Sequence, residues 1–109
     1  MSIKTLEINH LIIEKGTDFQ YTFTRLDDSI NWSGITSSSF KIGKNYNPSK
    51  SLSFIVGINT TNKSITISMA SSTTMLLANG RNNFDGIVTI SGLKEKPVKG
   101  TIIVNETVL

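Results

Sequence analysis

Apolar and polar residues alternate along most of this chain. Between Asp18 and Thr24, Phe19, Tyr21 and Phe23 fall on one side of an extended backbone, and Asp18, Gln20, Thr22 and Thr24 on the other. A period of two over that length marks a strand with one buried and one wet face. The same period recurs at Leu52, Phe54, Val56 and Ile58, then at Ile65, Ile67 and Met69, and again at Phe84, Gly86, Val88 and Ile90. Ile3 to Glu14 supplies an opening strand or strand pair, in which Asn9-His10 breaks or bulges the run. Ile35 to Ile42 predicts another strand, with Phe40 and Ile42 inward. Val98 to Val108 closes the series, with Ile102 and Val104 on one face.

The stretches between these runs carry turn chemistry. Lys15-Gly16 reads as a turn, Leu26 to Gly34 as a polar loop, and Gly43 to Ser51 as a loop in which Pro48 disfavours a central strand. Asn59 to Lys63 predicts a hairpin turn and Gly92 to Pro97 a polar hairpin loop. Ser71 to Asn79 departs from period two. There Ser71 or Ser72 can cap a helical turn, Met75, Leu76 and Leu77 weight its inner side, and Gly80 suits a left-handed end. Strand, crossing turn, glycine corner and strand is how a sandwich passes its chain between sheets. The expectation is an all-β sandwich of about seven antiparallel strands with one short helical turn near residues 71–79, in a single domain spanning 1–109.

Composition narrows the classes. A chain of 109 residues is long enough for one core, and the absence of cysteine excludes a disulfide framework or a thiolate metal site. No apolar run approaches the ~20 residues that cross a bilayer, and the start lacks the pattern of a secretory signal. The formal charge of +3 comes from scattered lysines, with arginine only at Arg25 and Arg81. A nucleic-acid footprint favours massed Arg with interleaved aromatics, so neither nucleic acid nor membrane is expected as a partner.

Candidate chemistry is sparse. His10 is the only histidine, which excludes a metal site built from several imidazoles, and no acid partner for it is evident. Asp27, Asp28, Ser29 and Asn31 offer oxygens but lack the spacing of a calcium loop. Gly34, Gly43 and Gly57 are too dispersed to cradle a phosphate. No catalytic residue, metal or cofactor is therefore assigned. Four residues stand out as interface candidates instead. Trp32 and Tyr46 lie in loops, where an aromatic ring can anchor a partner or stack on a sugar, although a tryptophan placed like Trp32 more often caps the open end of the core. Arg81 and Asp85 flank the corner and can pair across it.

A family resemblance joins several of these pieces. Gly16 with Phe19, Trp-Ser-Gly at Trp32 to Gly34, FKIGK at Phe40 to Lys44 and ITISM at Ile65 to Met69 come first. Thr74 to Arg81 ending in Asn-Gly-Arg, FDGIV at Phe84 to Val88 and KGTIIV at Lys99 to Val104 complete the order. Taken together, the chain resembles the small immunoglobulin-like domains of tailed-phage virion proteins, and is most similar to the amino-terminal module of baseplate upper proteins. Members often carry Tyr at the corner before the Asp, where this chain has Phe84. The resemblance implies an immunoglobulin-like sandwich and a non-enzymatic subunit of a tail, baseplate, neck or capsid-decoration layer. Such a subunit is assembled in the host cytoplasm, in many symmetric copies, against other virion proteins. The competing expectation is a carbohydrate-binding or host-attachment module that takes a surface glycan through Trp32, Tyr46 and nearby Asn and Asp side chains.

Overall fold

The computed structural model describes residues 4–24, 31–44 and 51–106. Its strands are β1 (Leu6–Glu14), β2 (Phe19–Phe23), β3 (Ile35–Gly43), β4 (Leu52–Ser53), β5 (Ile55–Asn59), β6 (Ser64–Met69), β7 (Gly80–Ile90) and β8 (Leu93–Asn105). A 3-10 turn, Trp32–Gly34, leads into β3, and a short helix α1 (Ser71–Thr74) links β6 to β7. The strands form a five-stranded sheet in the order β1-β8-β7-β3-β4 and a three-stranded sheet in the order β2-β6-β5. The two sheets pack as a β-sandwich in which β3, β7 and β8 share one sheet and β2 and β6 the other, as strands C, F and G and strands B and E do in immunoglobulin domains. Two details depart from the expected pattern. The two-residue β4 raises the number of strands among the described residues to eight, and β1 runs parallel to β8 while every other neighbouring pair is antiparallel.

The alternation at Leu52 to Ile58 is not one strand. Ser53 pairs with Lys41 in the large sheet, whereas Ile55 pairs with Ser68 in the small one. The chain changes sheets at Phe54, which is buried and whose N–H donates to the Phe40 carbonyl at 2.9 Å. Phe54 points inward throughout the crossing, so the side chains keep period two while their backbone partners change.

Of the segment Gly92 to Pro97, expected as a loop, Leu93 to Pro97 is strand and only Gly92 belongs to the turn. Ile90 pairs with Leu93, leaving only Ser91-Gly92 as the turn, with φ of 51° and 84°. Two successive left-handed residues make the tight turn whose twist matches the flanking strands. Pro97 is accommodated because the register shifts between Gly86↔Val98 and Val88↔Glu95, a bulge where a missing N–H removes no ladder bond. Its lysines lie on a wet sheet face, which is why the composition reads as loop.

Phe23 organises the interior. Its ring stacks on Phe40 of β3 and Phe84 of β7 with centroids 6.1 Å away in each case and interplanar angles of 23° and 16°. Antibody domains join the equivalents of β2 and β7 by a disulfide packed on a tryptophan. A cysteine-free aromatic triad occupies that position here. Burying each ring contributes about 1.5–3 kcal/mol, with about 0.5–1.5 kcal/mol more per well-placed aromatic pair. Gly86 faces Phe40 across the β3–β7 ladder, and a Cβ there would fall 2.2 Å from the Phe40 ring. The ring fills the space that the glycine leaves. Gly100 is needed for backbone approach instead, since a Cβ at that position would meet the Ile8 carbonyl oxygen of β1 at 1.8 Å.

Candidate functional site

The outer face of the five-stranded sheet carries charged residues on several strands. Cross-strand register sets Ser53, Lys41, Asp85, Lys99 and Glu7 in one row across all five strands, so opposite charges stand side by side. Within this row Asp85 forms its ion pair with Lys96, the Nζ–Oδ2 distance being 3.2 Å. Arg81, proposed from the sequence as its partner, lies four residues earlier on β7, roughly 13 Å along an extended strand. Arg81 and Asp85 share a face but do not form the expected pair.

Beside that row lies a polar depression of about 540 Å³ lined by Glu7, Asn9, Arg81, Asn83, Lys99 and Thr101, with Ile103 at one side. Its form follows from β1. Ile8 pairs with Gly100 and Leu11 with Ile102, so Asn9 and His10 together face the single Thr101. This is the bulge that the Asn9-His10 interruption suggests. Thr101 Oγ1 donates to Asn9 Oδ1 at 3.1 Å, and Asn83 Nδ2 donates to the Lys44 carbonyl at 2.8 Å. Asn9 Nδ2, Asn83 Oδ1 and the Arg81 guanidinium thus border a concave, open surface able to receive a polar or anionic group.

The loop aromatics divide. Trp32 is only 4% exposed and belongs to the core cluster. Of its two readings, capping the core is the one the structure bears out, so its ring is not offered to a partner. Tyr46 lies outside the described residues, as do Asp27, Asp28 and Ser29. His10 is exposed and meets Tyr21 edge-on, with centroids 6.1 Å apart. Among the described residues no three of His, Asp and Glu are grouped closely enough to hold a metal ion.

Exposed aliphatic side chains are the other notable surface feature. Ile55 is 67% exposed on β5, and Leu76 is 71% exposed just after α1. Met75 and Leu93 are also exposed, as are Ile12 and Ile103, which pair across β1 and β8. Met75 and Leu76 were expected on the inner side of the helical turn, but only Leu77 of that trio is buried. The reason is that Thr74, not an apolar residue, fills the inner position. Gly16 N–H donates to Thr74 Oγ1 at 3.1 Å, and the hydroxyl lies 2.9 Å from the Thr17 carbonyl. No serine side chain caps α1. Instead, Asp18 Oδ1 accepts the Ser71 N–H at 2.8 Å.

Asn82 is a structural residue that the sequence pattern did not single out. It is buried on β7, and its Nδ2 donates to the carbonyls of Ala78 at 2.9 Å and Gly80 at 3.2 Å. Immunoglobulin domains fix this corner with a tyrosine hydroxyl bonded to backbone a few residues upstream. Here the amide of Asn82 performs that role, two positions before Phe84. Its inward parity with Phe84 and Gly86 was the available signal.

No protein-family model and no curated protein matches the chain.

Proposed function

We propose that this protein is a non-enzymatic structural subunit of a tailed-phage virion, part of a tail, baseplate, neck or capsid-decoration layer, working through protein–protein contacts. The observation carrying this reading is the placement of Ile55, Leu76 and Leu93 in water at a strand edge, a crossing turn and a hairpin. Large aliphatic groups at the perimeter of a well-packed sandwich gain free energy when a neighbour covers them. The family resemblance names the kind of assembly, and the partition of strands between the two sheets is compatible with it. The test is quantitative mass spectrometry of gradient-purified phage particles from a host carrying this gene. A fixed copy number per particle supports the reading. Recovery only from the soluble lysate, with none in particles, rejects it.

A second reading rests on the polar depression between β1 and β7. Arg81, Asn9 and Asn83 border it, and such groups suit an acidic glycan, which would make the protein a host-attachment module. Glycan-array binding that disappears in Arg81→Ala would favour this reading. An array without reproducible signal would reject it.

A further inference from the structure

Sheet edges expose unpaired N–H and C=O groups, and most edges here are guarded. β1 carries Glu7, Glu14 and the Asn9-His10 bulge, and β4 is only two residues long. On β2, Tyr21 meets the His10 ring of β1 edge-on. β5 differs. Ile55–Asn59 reads Ile-Val-Gly-Ile-Asn, with no charge, no proline and no bulge in its pairing with β6. Its outward residues are Ile55, Gly57 and Asn59, and its inward residues Val56 and Ile58 are only half-buried. Among the described residues, nothing lies within 4 Å of a Cβ built at Gly57.

We infer that β5 is a strand-pairing site for a second copy of this chain, joined antiparallel about a two-fold axis at Gly57. The sequence of the strand is self-complementary in that register. Val56 of each copy stands opposite Ile58 of the other, so both half-buried inner residues gain a β-branched cross-strand partner. Ile55 stands opposite Asn59, and the two Gly57 residues meet at the axis without steric conflict. The two three-stranded sheets then form one sheet of six strands, with no like charges facing each other. A closed symmetric pair of this kind is the commonest way in which identical subunits associate. Five residues per copy bury less than the ~1,000 Å² of an isolated stable complex. Association of the free chain is therefore weak, and repeated contacts within an assembly strengthen it. This inference rests on the structural-subunit reading for its setting, but is measured separately.

The experiment compares the full chain with Gly57→Lys, Gly57→Cys and Thr22→Cys. Gly57→Lys places two ammonium groups opposite each other at the axis, on an open outer face where the monomer tolerates a side chain. Sedimentation equilibrium from micromolar to ~1 mM is expected to show a dimer for the native chain and at least ~10-fold weaker association for Gly57→Lys. Because the chain has no native cysteine, each cysteine variant has one thiol. Opposed residues of an antiparallel pair have Cα atoms about 4.5–5.5 Å apart, within disulfide range. Gly57→Cys is expected to form the covalent dimer about ten times faster than Thr22→Cys, which lies on the other edge strand of the same sheet. A native chain that stays monomeric up to ~1 mM, or crosslinking no faster at 57 than at 22, overturns the inference. Absence of the chain from particles would reject the virion reading without changing either measurement.

Discussion

Phe23 and Phe84 lie almost parallel across the interior, their planes 16° apart and their centroids 6.1 Å apart. They join β2 of one sheet to β7 of the other, so the contact spans both layers. Phe84→Ala removes the ring from a site that is 1% exposed and leaves a cavity between Phe23 and its surroundings. The expected loss is about 3–5 kcal/mol, against roughly 1–2 kcal/mol for Phe84→Leu, which keeps most of the volume. Urea unfolding monitored by Trp32 fluorescence measures both.

Gly86→Ala tests the fit between β7 and the Phe40 ring. A new Cβ at 2.2 Å from Phe40 Cζ must displace the ring, and overpacking of this kind costs about 1–3 kcal/mol. Shortening the ring to Phe40→Leu should make the same alanine cheaper. A double-mutant cycle is expected to show a coupling of ~1 kcal/mol or more, and additive effects would contradict the packing described.

Asn82→Ala strips the donor from the corner and leaves the Ala78 and Gly80 carbonyls without it. The expected cost is about 1–3 kcal/mol. Asn82→Asp keeps the shape but turns a carboxylate toward two carbonyl oxygens, so at neutral pH it should cost more than alanine. Thermal melts of the three proteins in one buffer decide the order.

Ser91 holds φ at 51°, a conformation that Asn tolerates better than Ser. Ser91→Asn is expected to raise stability by about 0.5 kcal/mol, because Asn-Gly is the preferred pair for this turn. Ser91→Val, β-branched at the same angle, should lower it by about 1–2 kcal/mol. Calorimetric midpoints moving in the opposite order would argue against the turn geometry.

Much of the sandwich is legible because burial in a sheet imposes period two directly. Phe19 and Phe23, Phe40 and Ile42, and Phe84, Val88 and Ile90 all point where their spacing places them. The misreadings share a cause: partners distant in sequence decide them. Asp18 caps a helix that begins at Ser71, Lys96 rather than Arg81 answers Asp85, and Phe54 changes its backbone partners without altering its inward direction. The start of β8 was hidden because Lys94, Glu95 and Lys96 resemble a loop until Thr89 and Val88 are placed opposite the first two. The candidate surface was less legible still. Exposure of Ile55 and Leu76 depends on which side of an edge or turn faces water, and local sequence does not encode that.

The parallel seam between β1 and β8, with Gly100 admitting the Ile8 carbonyl, has a consequence for biosynthesis. β8 sits between β1 and β7, so β1, although translated before β8, has no place in the large sheet until β8 has left the ribosome. Up to that moment β1 and β7 each wait with an open flank, and the domain closes in one late step. A stalled or shortened nascent chain therefore holds sticky half-sheets rather than a smaller finished domain.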